Sequence, residues 1–283
     1  FSLKPVYKYL KDKIENKIYF FSEKITNRTK DKLSFINNGE IIFFENIRLN
    51  EGEIQNDENL AKNLSSLCEV YINDAFSCAH RKQTSIHKIT KYVKNSYAGP
   101  LFMKEIHSIN MVLNNKKSPT TCIIGGSKIS TKLGVITSLI NKVDNLIIVG
   151  AMANNFIKFK GNKVGKSLVE PGSEKIIKEI YDKVSKSNCE IITPLDFAVS
   201  GSADGTAIFK DLNEVNDNEI ILDIGPQTIE KINKIIDISK TVLWNGPAGY
   251  FENKNFSKGT TSLAKRISDN TNKDSLISIV GGG

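Results

Sequence analysis

Short, continuous apolar runs recur along the second part of the chain, and segments with helical spacing separate most of them. The runs occupy residues 122–124, 146–149, 190–193, 220–224, 241–244 and 276–280. The helical segments include residues 174–185 and 229–238. Strands that are apolar without alternation are typical of a parallel sheet that helices cover on both faces. The pattern therefore predicts an α/β fold for residues 118–283.

The first part of the chain shows a less regular version of the same pattern. We expect helices over residues 2–13 and 57–67, and strands over residues 18–21, 41–44 and 70–72. After Gly99-Pro100, apolar residues at helical spacing predict a helix that ends at the polar break 114–119. We place the domain boundary around this helix.

Most of the predicted strands in the second part end in a glycine-containing turn. These turns are Gly125-Gly126, Gly150-Ala151, Gly225-Pro226, Gly246-Pro247 and residues 281–283. In a parallel sheet the carboxyl ends of the strands meet along one edge, and this edge binds ligands. One glycine turn carries little weight, but five on one edge predict a site for a nucleotide or another polyphosphate.

The turn at Gly125-Gly126 leads into a segment rich in hydroxyl groups and lysines, which includes Lys128 and Lys132. The apolar spacing predicts that a helix begins at Ile129. Glycine lets the backbone approach a ligand closely, and the start of a helix attracts anions, so one interpretation is a phosphate site. The alternative is an ordinary strand, turn and helix capped by Ser127, with two solvated lysines. This stretch alone favours neither.

Arginine is rare in this lysine-rich chain, which holds only Arg28, Arg48, Arg81 and Arg266. Arg48 and Arg81 each follow a predicted strand, where α/β proteins bind ligands. Arginine binds phosphate and carboxylate groups through a planar, bidentate contact that lysine cannot make. The two loops together predict an anion pocket, whereas Arg28 and Arg266 are interpreted as surface residues.

Composition indicates the cellular compartment and argues against several classes of function. The net charge of +8 is spread along the chain rather than gathered in a stripe with aromatic residues, so it does not favour nucleic-acid binding. Cys68, Cys78, Cys122 and Cys189 show no metal or redox spacing, which indicates free thiols in a reducing cytosol. We find no metal-binding motif, and no apolar run is long enough to cross a membrane.

Two other nucleotide motifs are absent or incomplete. Residues 161–167 read GNKVGKS, which has one residue too few for a Walker A loop and follows a helical segment rather than a strand. The pattern GxGxxG of dinucleotide-binding folds does not occur. No serine or cysteine lies in a recognisable nucleophile elbow.

Nine stretches of the sequence carry a resemblance that spans the whole chain. They are ENIRLNEGE (45–53), NDAFSCAHR (73–81), YAGPLFMKE (97–105), IIGGSKISTKL (123–133), VGAMANNF (149–156), VGKSL (164–168), LDIGP (222–226), WNGPAGYFE (244–252) and SIVGGG (278–283). In content and order they resemble the phosphoglycerate kinase family. The resemblance implies two Rossmann-like α/β domains with parallel sheets, joined by a hinge helix, the N-terminal domain being truncated.

The same resemblance implies a division of labour between the domains. Residues 1–96 would form a partial phosphoglycerate-binding domain, residues 97–117 the interdomain helix and hinge, and residues 118–283 an incomplete nucleotide-binding domain. The implied reaction is reversible phosphoryl transfer from 1,3-bisphosphoglycerate to ADP, giving 3-phosphoglycerate and ATP in glycolysis. Mg²⁺ would accompany ADP or ATP. The protein would be a cytoplasmic monomer that binds neither nucleic acid nor a membrane.

Roles for individual residues follow from the matching motifs. Lys128 corresponds to the family's catalytic lysine, which steadies the transferring phosphoryl group, and Arg48 and Arg81 correspond to its phosphoglycerate-binding patch. The positions implied to bind nucleotide are Gly125, Gly126, Lys132, Gly150, Asn245, Gly246, Pro247, Glu252, Gly282 and Gly283. No metal ligand is predicted within the sequence.

The sequence also departs from the family pattern. The family's opening strand and its arginine loop are absent, as are the acidic residue and threonine that follow Gly283 and the C-terminal segment. We therefore expect the chain to be a fragment that is inactive alone. Val149-Gly150-Ala151 replaces a glycine run on the adenine side. Two alternatives stay open, namely another α/β nucleotide-binding phosphotransferase and a basic nucleic-acid-binding protein.

Overall fold

The computed structural model describes residues 1–114 and 117–281, without the side chains of residues 112–114. The chain forms two compact units, Phe1–His107 and Ser108–Gly283. The division between them falls inside the helix α4 (Pro100–Asn114), and so within the segment 97–117 that the resemblance suggested as the interdomain helix and hinge.

The first unit contains two small parallel sheets. Its helices are α1 (Lys4–Lys11), α2 (Thr29–Lys32), α3 (Glu58–Ser65) and the first part of α4, and its strands are β1 (Ile18–Phe21), β2 (Ile41–Phe44), β3 (Val70–Asn73) and β4 (Asn95–Ala98). Strand β1 pairs with β2, and β3 pairs with β4. Short 3₁₀ turns at Ile47–Leu49, Phe76–Cys78 and Ile89–Lys91 and a π-helical turn at Thr84–Lys88 complete the unit.

Strand β4 is an element that the sequence pattern does not reveal. It reads Asn-Ser-Tyr-Ala, and its one large apolar side chain, Tyr97, is exposed. No apolar run therefore marks it, although it pairs with β3 along its whole length. Tyr97 and Ala98, at the start of the segment 97–117, consequently belong to a strand of the first unit, and the helix that the sequence predicts after Gly99-Pro100 begins at Pro100.

The second unit contains the predicted parallel sheet. Its strands are β5 (Thr120–Ile124), β6 (Asn145–Ile148), β7 (Glu190–Ile192), β8 (Asp196–Ser200), β9 (Ile208–Asp211), β10 (Ile220–Ile224), β11 (Thr241–Asn245) and β12 (Ile277–Gly281), and its helices are α5 (Leu133–Leu139), α6 (Ala153–Phe159), α7 (Ser173–Val184), α8 (Pro226–Ile238) and α9 (Lys258–Asn272). Five strands form the parallel sheet in the order β12-β11-β5-β6-β7. A 3₁₀ turn lies at Lys254–Phe256.

Both faces of this sheet are buried, as the unalternating apolar runs predict. Along β5, Cys122 and Ile124 pack into one hydrophobic cluster with residues of α5, α6 and α7. Ile123, which points to the opposite face, packs into a second cluster with residues of α8 and α9. Each of these three side chains is fully buried. Helices on both faces therefore sandwich the sheet and leave its carboxyl edge for a ligand.

The prediction that residues 220–224 belong to the parallel sheet is wrong. This segment is β10, which pairs antiparallel with β8 in a separate sheet of order β10-β8-β9. The register of the pair shifts between Ile221 and Asp223. An apolar run shows that a strand is buried but not which strand it pairs with, and β8 and β9 were not predicted.

Along the described parts of the chain, no helix combines the length and the apolar character needed to span a bilayer.

Candidate functional site

Three of the predicted glycine turns meet at the carboxyl edge of the parallel sheet. The Gly125 N–H donates to the Asn245 carbonyl at 2.8 Å, and the Gly150 N–H donates to the Ala248 carbonyl at 3.0 Å. A Cβ atom added at Gly125 would lie 2.1 Å from the carbonyl oxygen of Pro247. The backbone therefore packs against backbone at Gly125, Gly150 and the turn Gly246-Pro247. This close approach is possible because the three glycines lack a side chain.

We expect Gly125→Ala to destabilise the protein by about 2 kcal/mol or more, because the new methyl group would collide with backbone atoms that cannot rotate away. Urea unfolding measures the change. Gly134→Ala is the matched control, since Gly134 lies in α5 and a Cβ atom there has no neighbour within 4 Å. This control should be neutral or slightly stabilising, because alanine favours a helix over glycine by about 1 kcal/mol. Equal stability of both variants would contradict the packing argument.

Lys132 and Asn245 are brought together from neighbouring strands. The Lys132 Nζ donates to the Asn245 Oδ1 at 2.5 Å, although the two residues are 113 positions apart in the chain. Lys132 follows β5 and Asn245 ends β11, and these strands are adjacent in the sheet. The contact holds the lysine ammonium group beside the glycine turns, which supports a phosphate-binding role for this edge.

The segment that carries Lys128 is a loop rather than the first turn of a helix. Helix α5 begins at Leu133, so the predicted start at Ile129 is wrong, and Ser127 does not cap the helix. Ile129 is nevertheless fully buried, which explains its place in the apolar pattern. Lys128 is exposed in this loop, and its carbonyl accepts a hydrogen bond from the Thr131 hydroxyl at 2.9 Å.

A largely apolar cavity of about 390 Å³ opens beside the glycine turns. Gly126, Gly150, Pro247 and Glu252, all predicted as site residues, line it. The lining residues that sequence reasoning did not identify include Leu168, Phe197, Ala203, Asp223 and Tyr250. Several of these come from β8, β10 and their connections, which the sequence pattern missed or assigned to another sheet. The size and the mostly apolar lining fit a small organic ligand such as a nucleoside.

Asp223 is the buried carboxyl group of this cavity. Its two oxygens accept hydrogen bonds from the Ile224 N–H at 2.9 Å and from the Gly259 N–H at 2.7 Å. A Cβ atom at either Gly249 or Gly259 would lie 2.3 Å from its Oδ1, so the chain packs tightly around it. Burial raises the pKa of Asp223 to about 6, although both hydrogen bonds act in the opposite direction.

This raised pKa predicts a pH-dependent stability. The pKa of Asp223 in the folded state, about 6, lies above the ordinary value of 3.8, so the folded protein binds this proton more tightly than the unfolded chain. The cost of burying the charge is therefore present near neutral pH and is relieved as the pH falls through about 6. Asp223→Asn carries no such proton. As the pH falls from about 7.5 to about 5, the free energy of unfolding of the native protein should therefore rise by about 1.4 kcal/mol relative to that of this variant.

Urea unfolding of both proteins at the two pH values measures this gain. Asp182→Asn, at an exposed position of α7, serves as the control and should differ from the native protein by a nearly constant amount. A stability difference between the native protein and Asp223→Asn that stays constant with pH would contradict the prediction.

Arg48 and Arg81 occupy equivalent positions in the first unit. Arg48 lies in the 3₁₀ turn that follows β2, and Arg81 follows the 3₁₀ turn after β3. Both side chains are exposed. Strands β2 and β3 belong to separate two-stranded sheets, so no shared sheet edge brings the two arginines together. A shared anion pocket of these residues therefore stays a prediction.

The remaining predicted positions have mixed outcomes. Gly282 and Gly283 lie outside the described residues. The Walker-like residues 161–167 form a structural turn, in which the Lys166 N–H donates to the Glu219 carbonyl at 2.7 Å and Ser167 Oγ accepts from the Ile221 N–H at 2.8 Å. Among the described residues, no group of three or more His, Cys, Asp or Glu side chains could hold a metal ion.

Comparison with known proteins gives a consistent result over the whole chain. The family model described as phosphoglycerate kinase matches residues 1–283. A phosphoglycerate kinase of Wolbachia sp. subsp. Drosophila simulans is 42% identical over 283 residues, which are 100% of this chain and 71% of that protein. A phosphoglycerate kinase of Buchnera aphidicola subsp. Schizaphis graminum is 41% identical and is covered to 70%.

Solved structures agree with these sequence relatives. The structure of phosphoglycerate kinase from Coxiella burnetii matches with a TM-score of 0.81 and 36% identity, covering 100% of this chain and 70% of that one. The phosphoglycerate kinase from Pyrococcus horikoshii OT3 matches with a TM-score of 0.82 and 26% identity, covering 100% and 72%. The glycine turns, the lysine segment and the cavity thus occur in a chain whose relatives carry one name. The chain belongs to the phosphoglycerate kinase family.

Proposed function

We propose that this kinase transfers a phosphoryl group reversibly from 1,3-bisphosphoglycerate to ADP, giving 3-phosphoglycerate and ATP in glycolysis. One observation carries the proposal within the family. Three glycine turns and the Lys132–Asn245 contact converge beside a cavity of about 390 Å³. Backbone N–H groups and the Lys132 ammonium group at this edge can bind phosphates, and the apolar cavity can hold the nucleobase.

The proposed nucleotide site lies entirely in the second unit. Gly126 and Gly150 would allow the close approach of phosphates, to which Lys132 adds a positive charge. Pro247 and Glu252, which line the cavity, would contact the nucleoside, with Glu252 at the ribose as the resemblance implies. Lys128, exposed in the loop after the second glycine, would steady the phosphoryl group in transfer.

The chemistry demands alignment and charge neutralisation rather than a strong base. The leaving group of an acyl phosphate is a carboxylate, a weak base that departs without being protonated. In the reverse direction the same carboxylate attacks in its ionised form, so no side chain has to remove a proton from it. Positioned cations and backbone N–H groups stabilise the charge that spreads over the transferring phosphoryl oxygens. Lys128 and Lys132 are suited to this task.

Mg²⁺ is the proposed cofactor, bound to the nucleotide. The residues described here do not fit a protein cage for the ion, because no cluster of three ligating side chains occurs among them and both oxygens of Asp223 accept backbone hydrogen bonds. The ion would be held mainly by phosphate oxygens, which is usual for Mg²⁺.

For the other substrate, we propose that Arg48 and Arg81 bind 3-phosphoglycerate or 1,3-bisphosphoglycerate. Their exposure leaves the guanidinium groups accessible to an anion. We also propose a cytoplasmic monomer that binds no nucleic acid. Cys68, Cys78 and Cys122 are free thiols, which supports a reducing compartment.

A coupled assay of ATP formation tests the proposal, together with titrations of ADP, 3-phosphoglycerate and RNA. The kinetic experiments use the protein expressed from the natural gene, so that any residues flanking this sequence are included. Residues 1–283 are assayed alone in parallel, since the sequence predicts that they lack activity. Binding of nucleotide without binding or turnover of phosphoglycerate would favour another phosphotransferase. Binding of RNA with a steep salt dependence, and no preference for ADP, would favour a nucleic-acid-binding protein.

A further inference from the structure

Residue Glu170 contacts the loop that carries Lys128, although nothing in the nucleotide motifs includes it. Its Oε2 accepts a hydrogen bond from the backbone N–H of Ser130 at 3.1 Å. We refer to residues 127–131 as the Lys128 segment. Hydrogen bonds to the side chain and backbone of Ser130, the N–H of Ile129 and the charge of Lys128 all lower the pKa of Glu170. The carboxylate therefore faces this segment in its charged form at neutral pH.

The Lys128 segment has few other polar anchors. The Thr131 hydroxyl donates to the Lys128 carbonyl, and the Lys132 N–H donates to the Ile129 carbonyl at 3.0 Å. Both of these hydrogen bonds are local. The hydrogen bonds described for residues 127–131 that reach a distant part of the chain end on Glu170. Buried Ile129 supplies an apolar anchor, but a side chain in a core does not orient the exposed lysine before it.

Glu170 is itself held in place by a buried asparagine. The Glu170 N–H donates to the Asn155 Oδ1 at 2.8 Å, and the Glu170 carbonyl accepts from the Ser173 N–H at 3.2 Å. Asn155 is only 1% exposed, and its Nδ2 donates to the Met152 carbonyl at 3.1 Å. The backbone of Glu170 is therefore fixed on both sides, and a fixed backbone makes its side chain an effective support.

The same region also holds the glycine turn before the Lys128 segment. The Met152 N–H donates to the Gly126 carbonyl at 2.8 Å. Met152 is the residue preceding α6, and Asn155 lies within α6. Helix α6 and the residue before it are thus linked to this loop twice, directly at Gly126, which precedes the Lys128 segment, and at Ser130 through Glu170.

We propose that Glu170 is a positioning residue that fixes the Lys128 segment for phosphoryl transfer. This role rests on the proposed function, since it concerns the loop of the lysine assigned to the transferring group. Glu170 acts through Ser130 and need not contact a substrate. Alignment of reacting groups accounts for a large part of catalysis, so a loosened segment should slow turnover more than it weakens substrate binding.

The test compares Glu170→Ala and Glu170→Gln with Glu174→Ala, an exposed glutamate in the first turn of α7. We expect Glu170→Ala to lower kcat about tenfold while the KM for ADP changes less than about twofold. Glu170→Gln keeps an oxygen that can accept from Ser130 and should recover a large part of kcat. Glu174→Ala should match the native protein, and the melting temperature of all variants should stay close to the native value.

A second readout does not depend on activity. We expect the Ser130 amide proton, measured by NMR, to exchange with solvent about tenfold faster in Glu170→Ala than in the native protein or in Glu174→Ala. If the native protein transfers no phosphoryl group, the proposed function fails, and the exchange rate alone decides whether Glu170 holds the segment. An unchanged exchange rate overturns the proposal. A kcat of Glu170→Ala that is unchanged or raised also overturns it. If this variant in addition binds ADP more tightly, the native carboxylate competes with the phosphates of the nucleotide.

Discussion

Replacing Lys128 with alanine should lower kcat by about 10²- to 10³-fold and change the affinity for ADP by less than about threefold. The effect should be this large because a cation beside the transferring phosphoryl group, the role proposed for Lys128, stabilises charge mainly in the transition state. Steady-state kinetics in both directions and equilibrium titration of ADP measure the two effects separately.

The structure separates Lys128 from Lys132 in a way that motivates this expectation. Lys132 immediately precedes α5, and its Nζ is held by the Asn245 Oδ1 at 2.5 Å beside the glycine turns. Lys128 lies four residues earlier in an exposed loop, where its side chain can follow charge as it moves between donor and acceptor. We therefore expect the loss of Lys128 to affect the transfer step, and the loss of Lys132 to affect nucleotide binding.

Lys175→Ala, at an exposed position of α7, is the matched control because it removes one surface lysine from the same unit. Its kinetics should be those of the native protein. If Lys128→Ala lost mainly ADP affinity and kept its turnover at saturating substrate, Lys128 would be a nucleotide-binding residue and its assignment would be wrong.

Local apolar patterns predict the positions of many strands well in this chain and predict their partners poorly. Strands β1, β2 and β10 occupy the residues that the pattern indicates. Strand β10, however, pairs antiparallel with β8 and not within the parallel sheet. The tendency to form a strand depends on the local residues, whereas pairing depends on the path of the whole chain. The apolar pattern also missed strand β9, because Ile208 and Phe209 form no clear apolar run. In the structure both side chains are exposed.

The candidate site shows the same division between identity and contact. Motifs indicate Lys132 and Asn245 separately, but their hydrogen bond arises because β5 and β11 are neighbours in the sheet. Asp223 carries no sequence signal for its raised pKa, since that pKa comes from burial beside Gly249 and Gly259. Glu170 likewise reaches Ser130 through the fold, 40 residues along the chain. Residue types can be predicted locally, whereas environments cannot.

Replacing Arg48 or Arg81 with alanine should raise the KM for 3-phosphoglycerate by about 10- to 100-fold and leave ADP binding nearly unchanged. A hydrogen-bonded contact to a charged group contributes about 1.5–3 kcal/mol, which corresponds to this range. Both arginines are exposed in the first unit, Arg48 within the 3₁₀ turn after β2 and Arg81 beyond the 3₁₀ turn after β3, whereas the candidate nucleotide residues lie in the second unit. Initial rates over a range of 3-phosphoglycerate concentrations, at saturating ATP, give the KM.

Lysine substitutions at the same positions test the geometry of the contact. Arg48→Lys and Arg81→Lys should recover only part of the loss, because a single ammonium group cannot reproduce the planar, bidentate contact of a guanidinium group. Arg28→Ala is the control, since Arg28 is exposed in the same unit and was predicted to be a surface residue. Full recovery by lysine would show that charge alone is required. An unchanged KM in both alanine variants would remove these arginines from the substrate site and leave the anion pocket to be sought elsewhere.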